Sequence, residues 1–234
     1  MNAPLVEISE KLDSQNSRDR MLALAALRDV PAVDAVPLIK KVLQDEVLQI
    51  RSMAVFALGI KQTPECYGIL VDLLENESDY GIRADAAGAL GYLEDGRAFE
   101  PLARAFYEDT DWLVRFSAAV SLGNLRDPRG YDVLIEALKS EDVLLLQGAI
   151  AALGEIGNPA AVPHILKFVQ AEDWLLRQRV AESLGFLGDM KAESALKYLA
   201  KDDHPQVKAA AEISLERLSQ SNPPSSAVES SNWA

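Results

Sequence analysis

Residues 82–102 read IRADAAGALGYLEDGRAFEPL, and 32 residues further on, from residue 114, the chain reads VRFSAAVSLGNLRDPRGYDVLIEAL. Both strings run arginine, small residue, leucine, glycine in the same register, and working outward from them recovers the whole chain. Arg20, Arg51, Arg83, Arg115, Arg177 and Lys208 stand 31, 32, 32, 62 and 31 residues apart. The 62 is two steps of 31, with Leu146 on the skipped rung. Three residues past each rung lies Ala23, Ala54, Ala86, Ala118, Ala149, Val180 or Ala211, and seven past it Leu27, Leu58, Leu90, Leu122, Leu153, Leu184 or Leu215. A fixed period of this length is the signature of one helical unit stacked on copies of itself, each burying the apolar face of its neighbour. The expected fold is all-α, an α-solenoid of six to seven helix pairs over residues 1–218. The Ser/Pro/Asn-rich stretch 219–234, SQSNPPSSAVESSNWA, is expected to be a disordered tail.

Within a unit the pattern is helix, turn, helix. In the fourth, a first helix is expected over 101–107, opened by Pro101, and a second over 112–125 with Val114, Ala118, Leu122 and Leu125 on one face. Gly59, Gly91, Gly123, Gly154 and Gly185 follow the in-register leucines and are read as serving both close packing and helix termination. Asp95, Asp127, Asn158 and Asp189 begin the next turn. Arg28 and Glu216 stand where the first and last units lack that glycine, as suits terminal repeats facing water.

Composition narrows the function. Of 234 residues 49% are hydrophobic, yet no apolar run approaches a membrane span, and MNAPLVEISEKL lacks the regions of a secretory signal; a soluble cytoplasmic protein is expected. The net charge of −13 argues against a nucleic-acid partner, because phosphates call for a basic stripe. One cysteine and two histidines leave no zinc or iron–sulfur ligand set. No Ser/His/Asp arrangement, phosphate loop or paired-carboxylate motif is present. Acids cluster before the second helices, among them Asp45, Asp79, Asp109, Asp111, Asp142, Asp173 and Asp202. Helix capping accounts for most of them, with a docking edge for a basic partner as the second reading.

The two quoted strings resemble HEAT-like repeats, in particular the short form found in the phycobilisome lyase proteins of cyanobacteria, and the resemblance covers about residues 3–218. Within that family the chain is most similar to members acting in phycobilisome degradation. The resemblance implies an α-solenoid whose second helices line a concave surface. It also implies handling of open-chain tetrapyrroles, with phycocyanobilin as ligand, no required cofactor, and the phycobiliproteins phycocyanin and allophycocyanin as partners. It leaves open whether pigment is detached, attached by a lyase or lyase subunit, or not handled at all by a protein-interaction scaffold. No segment resembles the His/Cys loop of the isomerising lyases, and neither histidine precedes the glutamate that HEAT-repeat iron hydroxylases need.

Two features could meet such a ligand. The arginine ladder suits propionates, but on a helical wheel it lies only about 50° from the buried face, which favours a seam role against acids of the next unit. The opposite face, five residues past the rung, carries Phe56, Gly88 and Val120; one past it come Ala84 and Phe116; Tyr80, Asp85, Tyr92 and Trp112 sit at its margins. Ala84 and Gly88 would form a floor between aromatic walls, and Asp85 could accept hydrogen bonds from pyrrole N–H groups. Packing against loops is the other reading of the aromatics. For Tyr80, Trp112 and Trp174 it is a staple at the start of the second helix. Cys66 reads as a small core residue, with thioether attachment of a bilin as the alternative.

Overall fold

The computed structural model describes residues 3–221, which form helices and turns throughout. Helix pairs follow one another along the chain, α1 (Ala3–Leu12) with α2 (Ser17–Ala26), α3 (Ala32–Ile39) with α4 (Leu48–Lys61), α5 (Pro64–Asn76) with α6 (Tyr80–Tyr92) and α7 (Phe99–Glu108) with α8 (Trp112–Asn124). These make a first unit ending at Leu125. A second unit, from Arg126, holds α9 (Gly130–Ala137) with α10 (Val143–Ile156), α11 (Val162–Ile165) with α12 (Trp174–Leu187), and α13 (Glu193–Leu199) with α14 (Pro205–Ser221). The chain is thus an α-solenoid of seven helix pairs among the described residues. Helix α14 carries residues 219–221; the rest of the proposed tail, 222–234, lies outside the described residues.

The core follows the wheel. Ile50, Ile82 and Val114 one residue before the rung, Ala54, Ala86 and Ala118 three after it, and Leu58, Leu90 and Leu122 seven after it are all buried. In the second unit Ala149, Val180 and Ala211 and Leu153 and Leu184 repeat the pattern. Four second helices open on an aspartate cap: Asp79 accepts from the N–H groups of Gly81 and Ile82, Asp111 from Leu113, Asp142 from Leu144, and Asp173 from Leu176. Asp95, Asp127, Asn158 and Asp189 each accept an N–H two residues on, starting the turn toward the next first helix. In the fourth pair that turn winds directly into α7, so the helix starts at Phe99 rather than at Pro101. Pro101 still lies in the first turn, where its missing N–H forfeits no helical bond.

The in-register glycines pack and do not terminate. A Cβ on Gly59 would sit 2.9 Å from Ala89 Cα, and one on Gly91 2.7 Å from Ser121 Oγ. In the second unit Gly154 and Gly185 face Ser183 and Ser214 in the same way. Each glycine therefore lets its second helix lie against the next. Termination comes three residues later, where Gln62, Glu94, Arg126, Gly157 and Gly188 all take positive φ.

The ladder runs along the seams. Arg20 forms a bidentate pair with Asp45, Arg83 with Asp109 and Arg177 with Asp202, each joining one pair's turn to the next. Each also donates to two carbonyls of its own turn, Arg83 for example to Glu77 and Ser78. Arg51 reaches Asp79 at 4.0 Å and Arg115 bonds the carbonyls of Asp109 and Thr110. At the skipped rung Leu146 is buried, and Gln147, one residue on, donates to Asp173 instead.

Candidate functional site

The outward face of the second helices in the first unit carries the candidate residues. Because Asp79 and Asp111 cap their helices, Tyr80 and Trp112 fall at the first helical position, where the side chain stands clear of the preceding turn, and both are exposed. Phe56 and Tyr92 are exposed as well, and their rings meet edge to face with centroids 6.1 Å apart. This contact joins α4 to α6, and Gln62 reinforces it by donating from Nε2 to the Tyr92 carbonyl at 2.9 Å. Phe116 and Val120 are half-buried on α8.

The expected floor is uneven. Ala84 is buried, whereas a Cβ on Gly88 would meet no atom within 4 Å, so the surface is open only above the glycine. The structure brings Phe56 to Tyr92 and Asp85 to Ser52, but among the described residues no ring contact ties Trp112 or Phe116 to that group. The aromatics thus line one face of α4, α6 and α8 without closing into a single box.

Asp85 is half-buried and accepts a hydrogen bond from the Ser52 hydroxyl across the α4–α6 seam. Burial pushes its carboxyl above the ordinary range; the Ser52 bond opposes this and the charge of Asp79 adds to it. The ionised form therefore costs stability at neutral pH, and the cost is relieved as pH falls through the raised folded value toward the unfolded one. Asp85→Asn is expected to melt at a higher temperature than the wild type at pH 7, with the gap closing as the solution is acidified to about pH 4. A gap that is constant with pH would show that charge burial is not its source.

Other candidates resolve into structure. Cys66 is fully buried in α5 with its sulfur 3.1 Å from Thr63 Oγ1, which leaves no room for a thioether adduct. Trp174 stacks on His204 at 4.0 Å, so in the second unit this position packs on the following turn. Among the described residues no three His, Cys, Asp or Glu side chains could hold a metal ion, and no helix is long and apolar enough to cross a membrane.

The wheel missed a cleft of about 380 Å³ between α2 and α4, lined by Leu24, Ala25, Met53, Phe56, Ala57 and Ile60, with Arg28, Asp29 and Lys61 at its rim. It shares Phe56 with the candidate face. The sequence signal for it is Arg28 in the glycine position, which the repeat pattern alone marks only as belonging to a terminal unit facing water.

The sequence matches the family model for HEAT repeats over residues 4–91, 69–151 and 131–216. Among solved structures, the complex of CpcE and CpcF of phycocyanin lyase from Nostoc sp. PCC7120 is similar, with a TM-score of 0.62 and 24% identity, covering 78% of this chain and 76% of that one. An engineered protein aligns with a TM-score of 0.55 and 21% identity, over 93% of this chain and 68% of that one. Comparison with curated proteins found no significant match.

Proposed function

The chain belongs to the HEAT-repeat family, and on that premise we propose that it binds bilin and bilin-bearing phycobiliprotein and acts in detaching the pigment during phycobilisome breakdown. The observation that carries this reading is the row of exposed aromatics Phe56, Tyr80, Tyr92 and Trp112 along the second helices of the first unit, beside the half-buried carboxylate of Asp85. Exposed rings of this kind offer large, flat contact area at small entropic cost, which suits a conjugated ligand or the protein that carries it. The likeness to a phycocyanin lyase complex agrees with a pigment-related role, and at that identity it is a likeness of fold. Phycocyanin and allophycocyanin are the proposed partners and phycocyanobilin the proposed ligand. A lyase-like subunit that attaches pigment is the second reading, favoured by the same likeness.

Titration with phycocyanobilin tests binding directly, since enclosure by protein shifts the absorbance of the pigment. Trp112→Ala and Phe116→Ala are expected to weaken that binding by about 1–3 kcal/mol while leaving helix content intact. Unchanged affinity in both would place the pigment away from α8. No absorbance shift in the wild type would leave an interaction scaffold as the reading of the chain.

A further inference from the structure

Position by position, the repeats pack a glycine eight residues past the rung against a small residue six past the next rung: Gly59 on Ala89 and Gly91 on Ser121. The first repeat has Arg28 at that place, and the residue it should meet is Ala57. An arginine side chain cannot enter the space a glycine leaves, so the close glycine-on-alanine packing of the following repeats is not available to α2 and α4 at this end. Helix α2 also ends at Ala26 and passes into a short 3-10 turn over Leu27–Asp29, while α4 continues as an α-helix to Lys61. The gap left between them is the cleft, with Arg28 and Ala57 both in its lining.

Its walls are apolar, and its rim carries two cations, Arg28 and Lys61, against one acid, Asp29. Arg28 is exposed, and its contact with Asp29 is 3.7 Å long between two side chains that are 79% and 88% exposed, too loose to neutralise it. Lys61 donates to the carbonyls of Arg28 and Val30 at 2.8 and 2.7 Å, which fixes its ammonium at the mouth and leaves its third N–H unspent. The cleft's size falls within the range of small-molecule sites. Shape and charge together call for a flat apolar body bearing a carboxylate.

We infer that this cleft is a ligand seat in which Arg28 and Lys61 bind a carboxylate while Phe56, Met53 and Ile60 hold the apolar body. Resting on the reading that the chain binds bilin, the occupant is the propionate-bearing part of an open-chain tetrapyrrole. Phe56, shared by the cleft and by the aromatic face, joins the two surfaces. Beside Asp85 the ladder arginines Arg51 and Arg83 are engaged along the seams with Asp79 and Asp109, so carboxylate recognition is assigned to the cleft.

The test compares phycocyanobilin with its dimethyl ester, which keeps the conjugated body and loses both negative charges. The wild type is expected to bind the free acid about tenfold more tightly than the ester, as fits a hydrogen bond to a charged group. Arg28→Gln is expected to erase most of that preference, and Ala57→Phe, which fills the cleft, to weaken both ligands with an unchanged far-ultraviolet circular dichroism spectrum. Equal affinity for acid and ester overturns the inference, as does an acid preference that survives Arg28→Gln. Binding lost only in Trp112→Ala and untouched by Ala57→Phe overturns it too, yet leaves bilin binding standing. Absence of binding by the wild type removes both together.

Discussion

Gly59→Leu is expected to destabilise the first unit by about 3 kcal/mol, the upper end of what overpacking costs. The atom in the way is backbone: a Cβ at Gly59 would lie 2.9 Å from Ala89 Cα, so α4 and α6 must move apart as rigid bodies rather than a side chain turning aside. Gly88, on the opposite face of α6, is the internal control. A Cβ there meets nothing, and Gly88→Ala is expected to raise stability by about 0.5–1 kcal/mol through the lower entropy of the unfolded chain. Chemical denaturation of the two variants measures both signs. Gly59→Leu within about 0.5 kcal/mol of the wild type would show that the helices are not held together at this point.

Arg83→Ala is expected to cost about 2–3 kcal/mol, between the values for exposed and for buried ion pairs. The pair is largely sheltered, with 16% of the Arg83 side chain and 10% of Asp109 exposed, and removing the arginine also frees the carbonyls of Glu77 and Ser78. Hydrogen bonds from Arg83 hold the Asp109 carboxyl below its usual range against the opposing effect of burial. A depressed carboxyl contributes stability that is complete above the unfolded value, about 3.9, and is lost as pH falls through the lower folded value. The wild type and Arg83→Ala should therefore differ fully at neutral pH, and the gap should narrow below about pH 4 to what the lost bonds to the Glu77 and Ser78 carbonyls cost. Melting curves across this range read the effect, and bilin affinity should change far less. Lost binding with an unchanged melting curve would move the ladder from the seam to the ligand.

The repeat, the buried face and the seam role of the ladder were legible because each rests on a short-range periodicity. The wheel angle alone separates Ile82, Ala86 and Leu90, all buried, from Phe56 and Tyr92, both exposed. Capping was legible for the same reason, since Asp79 and Asp111 act on amides two residues away. Less of the rest could be read. Ala84 is buried despite its outward wheel position, because neighbouring second helices lie side by side and cover the flanks of the face. Glycine at 59 and 91 suggests helix ends, whereas the ends come at Gln62 and Glu94, residues whose identity gives no warning of positive φ. The Ser52–Asp85 bond links residues 33 apart and depends on how far one helix slides along the next. The α2–α4 cleft was hidden for a related reason: Arg28 was visible as a departure, but its consequence lies in the spacing of two helices.

Incubation with phycocyanin, following protein-bound and released bilin by absorbance, tests the account most directly. It predicts that the phycocyanin-bound pigment declines with time in the presence of this protein, with bilin appearing free or on the solenoid, and that Trp112→Ala slows the decline. Phycocyanin whose bound pigment is unchanged, in a mixture where the protein also leaves the spectrum of free phycocyanobilin unshifted, would contradict it.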